Sequence, residues 1–343
     1  MFRPATRTVH LRRLTALGLS ASTALILTAC QESYDSADNA PRTTATQSSS
    51  PRGLLTEEAA RQAVDTYVKI NNRSNATRDP KLLNTVEDGQ VYEQSSADFE
   101  QWNTMTEKDQ KWYKSPFYYE DREYLIPAAD SGASWFAVKT HSSADNKKRD
   151  ILLILDKADG TYKVVMSLYT DQRMPKIAVD ENGFISPADP STTVGPLAPS
   201  RLSAAYEDFF ETGGKRIASK TFAPTESSEG SIKVYKDGPS DEVKDYAREK
   251  FFAKPPAHPK VYALKLADGG TLAFFPTAHT SELMLEPQWM SSFDLTPGDD
   301  EAVYNDTKRD IVVNEFQGQA LAVLDPKSKP RVIGIEYRMV DSR

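Results

Sequence analysis

Four tyrosines, Tyr113, Tyr118, Tyr119 and Tyr124, fall close together in the chain with Glu120, Asp121 and Glu123 among them. A phenol and a carboxyl group that face each other can pass a proton. Burial in a cavity would raise such carboxyls by desolvation until they work near neutral pH. The same residues also fit a strand whose tyrosines pack through the ring and hydrate through the hydroxyl, and this is the simpler reading. Phe99, Trp102, Trp112 and Phe117 surround them. That aromatic set either packs as core or lines a pocket or partner surface, with Trp102, Trp112, Tyr113, Tyr118 and Tyr124 as the candidates.

Other reaction chemistry finds little support. His141, His258 and His279 show no HxH or HExxH spacing, so a histidine metal site is not expected. Gly-x-Ser-x-Gly is absent, and no glycine pattern for a phosphate or dinucleotide follows a strand. The acids Asp299-Asp300-Glu301 and those between Asp237 and Asp241 lack the spacing and central glycine of a calcium loop. The sequence names no catalytic residue, no metal ligand and no cofactor.

One residue does announce a reaction, and it is the only cysteine. Cys30 closes Leu27-Thr28-Ala29-Cys30, after a basic stretch (Arg3, Arg7, Arg12, Arg13) and an apolar one from Leu14 to Leu27. The apolar stretch is shorter than the roughly 20 residues of a spanning helix. The pattern reads as a lipoprotein signal peptide over residues 1–29, removed before Cys30, whose thiol then carries a diacylglycerol. Arg12-Arg13 leaves ordinary secretion and twin-arginine export both open. The expected location is the extracytoplasmic face of the cell membrane, with the membrane as partner through lipidated Cys30. Removing the leader lowers Lys+Arg from 42 to 38 against 49 Asp+Glu, so net charge moves from −7 to −11. So acidic a body is not expected to bind nucleic acid.

Several elements must position these residues. Residues 30–53, rich in Ser, Thr, Ala and Asp, read as a disordered tether. The rest exceeds a single core and divides at the proline-rich run 186–197, giving a first domain at 54–185 and a second at 198–343. Each opens on a helix. In the first, Thr56 is the N-cap, and Ala60, Ala63, Val64, Tyr67 and Val68 form one apolar stripe until Asp79-Pro80 breaks it. In the second, Ser200 is the expected N-cap and Gly213-Gly214 the stop. Strands are expected at 134–141, 150–156, 161–170, 260–267, 271–277, 319–324 and 331–340. Both halves end in a Leu-Asp strand end, a turn and a long strand, which suggests a duplication.

This order of helices followed by an antiparallel meander resembles the NTF2-like and cystatin-like α+β folds. Asn75-Ala76-Thr77-Arg78-Asp79-Pro80-Lys81-Leu82-Leu83 is similar to the way such domains leave their first helix. The resemblance implies two tandem α+β domains, each with helices on a curved sheet. It also implies a cone-shaped cavity that can carry an acid/base site. Together with the Cys30 leader, the tether and the Ala267-Asp268-Gly269-Gly270 hairpin, the whole chain resembles actinobacterial (Streptomyces-type) lipoproteins of unknown function. The expected role is a non-enzymatic binding or scaffolding module for an unknown envelope protein or small ligand. The alternative is a small-molecule binder or enzyme that uses one cone.

Overall fold

The computed structural model describes residues 52–170 and 172–343. The signal peptide, Cys30 and nearly all of the tether lie outside the described residues. The first described residues are held by backbone bonds: the Arg52 carbonyl accepts from Ala129, Gly53 bridges Ala128, and Leu54 donates to Pro127 at 2.8 Å.

Helix α1 (Glu57–Thr77) starts where its cap dictates, with the Thr56 hydroxyl accepting from the Ala59 amide at 3.1 Å. It buries Ala60, Val64 and Tyr67 and then, on the same face, the polar Asn71 and Ser74. Arg78 in the left-handed region ends it, and Asp79 caps the short α2 (Pro80–Leu83), as the Asp-Pro pair requires. Helices α3 (Gly89–Glu100) and α4 (Glu107–Lys114) follow. A four-stranded antiparallel meander comes next: β1 (Tyr119–Leu125), β2 (Trp135–Ser142), β3 (Ile151–Ala158) and β4 (Thr161–Tyr169). Asp159 and Gly160, both at positive φ, make the β3–β4 turn.

The second half opens on α5 (Leu202–Tyr206), α6 (Asp208–Thr212), α7 (Ala218–Thr221) and α8 (Glu226–Asp237). Ser200 is not a helix cap. It sits inside a 3-10 turn, Pro199–Arg201, and its amide donates to Pro190. Gly213 stops α6 at φ 69°. The second sheet holds β5 (Ala247–Ala253), β6 (Tyr262–Lys265), β7 (Thr271–Leu285), β8 (Ile311–Leu324) and β9 (Arg331–Ser342), with the short helix α9 (Asp299–Ala302) between β7 and β8. Strands β6 and β5 lie end to end along one edge of β7, so this sheet too is four strands wide. Pro276 falls in the gap between them, after Phe274 pairs with Tyr262 and before His279 pairs with Ala253. A residue without an amide proton fits there, and β7 runs on well past the expected end at Thr277.

The fold is thus α+β with two antiparallel sheets packed face to face and helices on both outer sides. Alternate residues of β2–β4 (Ala137, Leu152, Ile154, Met166) meet Leu264, Phe274, Leu321 and Val323 of the second sheet in one core. The other face of the first sheet packs on α1, and that of the second on α5–α7. The proline-rich segment does not hang free. Ser186 and Ala188 bond Lys265 and Ala263, and Ala178 bonds Lys265 further along, so the segment closes the open edge of β6.

Candidate functional site

Beyond the shared core, β8 and β9 continue past the first sheet, and α3 lies across them. Two glutamines on that helix, and a third just past its end, reach over. Gln90 donates to the Gly318 carbonyl at 2.7 Å, Gln94 to the carbonyls of Gln317 and Glu336 at 3.1 Å, and Gln101, next along the chain, to Met339 at 2.7 Å. Gln319 answers from β8, donating to Gln94 at 2.7 Å and accepting from the Ser167 amide of β4 at 2.8 Å. The two halves are therefore joined by buried side-chain amides as well as by apolar packing, with only the Gln90 Oε1 among these amide oxygens left buried without a partner.

Where α1, α3, α4, the first sheet and the ends of β8–β9 converge, the helices do not close on the sheets. A cavity of about 180 Å³ remains. Its wall carries Tyr67, Asn71, Glu87, Gln94, Asp98, Trp112, Tyr113, Phe117, Tyr119, Tyr169, Gln319, Glu336 and Arg338. It reaches from the buried Glu87 to the exposed Ser115 at its rim.

Glu87 is held by local structure. Residues 86–88 lie parallel to the outer edge of β4, with Val164 donating to Val86 and Asp88 donating to Val164. Asp88 then caps α3. Tyr67 and Asn71, one turn apart on α1, both donate to Glu87 Oε1, at 3.0 and 2.9 Å. Oε2 is buried without a hydrogen bond. Burial raises the Glu87 carboxyl to about 7, against the opposing pull of Ser95, Tyr67 and Asn71. Across the cavity, burial also raises Glu336, although Arg338 and Arg149 oppose it. Arg338 is engaged with Asp98, Nε to Oδ1 at 3.1 Å, and this charge raises the guanidinium further. Burial likewise raises the phenols of Tyr67, Tyr119 and Tyr169, the last to about 12.

The sequence-derived candidates separate here. Tyr113 and Trp112 line the cavity, and Trp112 Nε1 is buried with no hydrogen-bond partner. Tyr113 is the hub of the aromatic group, edge-on to Phe99, Trp102 and Trp112 at 5.9, 6.0 and 6.4 Å. Trp102 is core, with Arg78 and Lys114 over its ring and no place in the cavity wall. Tyr118 is 58% exposed, and Tyr124 packs under α1 in the outer core of the first sheet. The neighbouring acids do not face the tyrosines in a cavity. A bulge between Glu120 and Glu123, with Asp121 at positive φ, turns Asp121 toward His141 and Glu123 toward Lys139 at the surface. A phenol–carboxyl pair does exist, but it is Tyr67 with Glu87.

Sequence reasoning missed Glu87, Asn71, Asp98, Glu336 and Arg338. The signal was on the page in the stripe of α1, which turns polar at Asn71 and Asn75 without changing face. It was also present in β9, where Glu336 and Arg338 stand two apart in a half-buried stretch of strand.

Asp300 and Glu301, weighed as calcium ligands, are tied into the fold. Glu301 accepts from Gly298 and Asn314, and Asp300 from Thr104. His279 is buried against Glu207 at 3.1 Å between Phe210 and Phe316. Among the described residues no group of acids, histidines or cysteines could hold a metal ion, and no helix is long and apolar enough to cross a membrane.

Comparison with known proteins places the chain among relatives and adds no activity. An uncharacterized lipoprotein of Streptomyces coelicolor is 31% identical over 319 residues, covering 90% of this chain and 88% of that protein. An uncharacterized lipoprotein of Streptomyces avermitilis is 23% identical over 213 residues, covering 62% of this chain and 61% of its own length. No solved structure matches. Residues 51–343 match one family, described as a domain of unknown function, and the chain belongs to that family, DUF8094.

Proposed function

We propose that this protein is an extracytoplasmic lipoprotein, held at the membrane through Cys30, and that it acts as a non-enzymatic binding module taking a small molecule into the cavity beneath α3. The cavity wall is the observation that supports this reading. A space of about 180 Å³ lined by Glu87, Glu336, Gln94 and tyrosine hydroxyls is not what packing alone produces, since buried polar groups cost free energy unless something satisfies them. The relatives' names support the anchor. Each half carries helices followed by an antiparallel sheet four strands wide, which supports two NTF2-like or cystatin-like units in tandem.

Native mass spectrometry of the detergent-released protein, purified from its own membrane, tests the reading. A co-purifying small molecule that is lost on filling the cavity by Asn71→Trp is the expected result. Indifference of that molecule to the substitution would sink the proposal. One observation favours an enzyme as the second reading: Glu87, poised near neutral pH with Tyr67 on its oxygen, could exchange a proton with a bound substrate. In that case the released molecule would be chemically altered on return to the fresh protein. A binding module returns it unchanged.

A further inference from the structure

The charges around the cavity do not cancel. Three carboxylates line it, Glu87, Asp98 and Glu336, against one cation, Arg338. That guanidinium is directed at Asp98. Arg149, the next cation, is paired with Asp145 at 3.0 Å and lies over the Tyr169 ring at 4.3 Å. Glu87, a wall residue of the cavity, is 1% exposed; Tyr67 and Asn71 both donate to its Oε1, Ser95 lies close enough to lower its carboxyl, and its Oε2 is buried with no hydrogen bond of normal geometry.

Six aromatic residues also line it, Tyr67, Trp112, Tyr113, Phe117, Tyr119 and Tyr169, among amides, serines and a few aliphatic side chains. Ring faces carry negative potential and attract a cation, more strongly where water is excluded. Carboxylates beside such rings reinforce the attraction. An anion would find the guanidinium already engaged. A metal ion would find no suitable donor group among the described residues.

We infer that the cavity recognises a small organic cation, an ammonium group seated among the rings with Glu87 and Glu336 as its counter-charges. This rests on the proposal that the cavity is a ligand site. The volume sets the size, because a cavity of about 150 Å³ accepts benzene, so the ligand has on the order of six to ten non-hydrogen atoms. The raised carboxyls of Glu87 and Glu336 agree with an empty site that lacks its positive partner.

Calorimetric titration of the full-length protein in detergent with choline, and separately with dimethylbutanol, decides the matter. In dimethylbutanol a carbon stands where choline has its nitrogen, so shape is kept and charge removed. Choline is expected to bind at least about tenfold more tightly, a difference of about 1.4 kcal/mol. Glu87→Gln and Glu336→Gln should each abolish most of that preference while leaving dimethylbutanol unaffected. Equal affinity for the two probes, or tighter binding of acetate than of either, overturns the cation inference and leaves the cavity a ligand site. Absence of heat from all three, with unchanged tryptophan fluorescence, overturns both. Should one glutamine variant fail to fold, the other variant and the wild-type comparison of the two probes still decide.

Discussion

Tyr262, on the edge strand of the second sheet, donates its hydroxyl to Asp156 of the first sheet at 2.8 Å. The same carboxylate receives Ser134 at 2.7 Å and Lys260 at 2.5 Å, and the Tyr262 ring stands edge-on to Trp135 at 5.5 Å. Burial pushes the Asp156 carboxyl up, but Lys260, Ser134 and Tyr262 together outweigh it and hold it below the usual carboxylate range. This is the polar rivet at one end of the inter-sheet core, and the α3 glutamines form its counterpart at the other end.

Removing the Tyr262 hydroxyl tests how much the rivet holds. A hydrogen bond to a charged, half-buried carboxylate contributes about 1.5 to 3 kcal/mol, so Tyr262→Phe should lower stability by about that amount in urea denaturation at neutral pH. The pH sign follows from the depressed carboxyl. Its contribution is complete above the unfolded value near 3.9 and disappears as pH falls through the lower folded value. The gap between wild type and Asp156→Asn should therefore close in acid. A gap that stays constant would show that Asp156 acts through packing alone.

Gly334 makes a different prediction. A Cβ built there would stand 2.3 Å from the Tyr169 carbonyl of β4, so only glycine lets β9 approach the first sheet this closely. Backbone meets backbone at this point, and neither side can yield cheaply. Gly334→Ala should destabilise by about 1 to 3 kcal/mol. It should also shift the ends of β4 and β9 apart, which amide exchange at Tyr169 and Thr170 would register as lost protection.

Glu87 is expected to weaken the empty protein as pH rises. Its folded carboxyl lies near 7, above the unfolded value near 4.3. Stability from this group is therefore full below about pH 4 and declines by up to about 3 kcal/mol as pH climbs through 7. Ser95, Tyr67 and Asn71 already oppose the shift, and Asp98 adds to it. Glu87→Gln keeps the acceptor for Tyr67 and Asn71, so it should raise the melting temperature at pH 7.5 and flatten the profile between pH 5 and 7. An unchanged profile would mean that Glu87 is not the titrating group.

Cys30→Ser should leave the body folded and release it from the membrane. Circular dichroism of the released protein and fractionation of cells provide the two measurements. A variant that still pellets with membranes would show that something other than the thiol anchors it.

Much of the scaffold was legible. Thr56, Asp79-Pro80, Gly213 and the Asp159-Gly160 turn act through their own backbone chemistry, so their effects survive without tertiary context. Strands β2, β3 and β4 follow their apolar runs. Strand β5 was not legible, because Arg248, Glu249 and Lys250 on an edge strand give no apolar alternation. Helix α8 was missed too, since it buries serines instead of an apolar stripe. The site was the least legible part. Tyr113 and Trp112 were found by type, but the carboxyl groups that share their cavity, Glu87 and Glu336, come from other elements of the chain. Local spacing pointed instead to Glu120, Asp121 and Glu123, which a single bulge turns to the surface.

The glutamines of α3 also bear on how the molecule folds. Gln90 and Gln94 meet β8 and β9 across separations of more than 220 residues, whereas every neighbouring strand pair of the first sheet is a local hairpin. Long loops close slowly because chain entropy is lost before the contact rewards it. The amide clasp therefore carries a larger loop-closure cost than any strand pairing of the first sheet. Gln94, Glu336 and Gln319 are both part of that clasp and part of the cavity wall, so the cavity depends on the most non-local contacts in the fold.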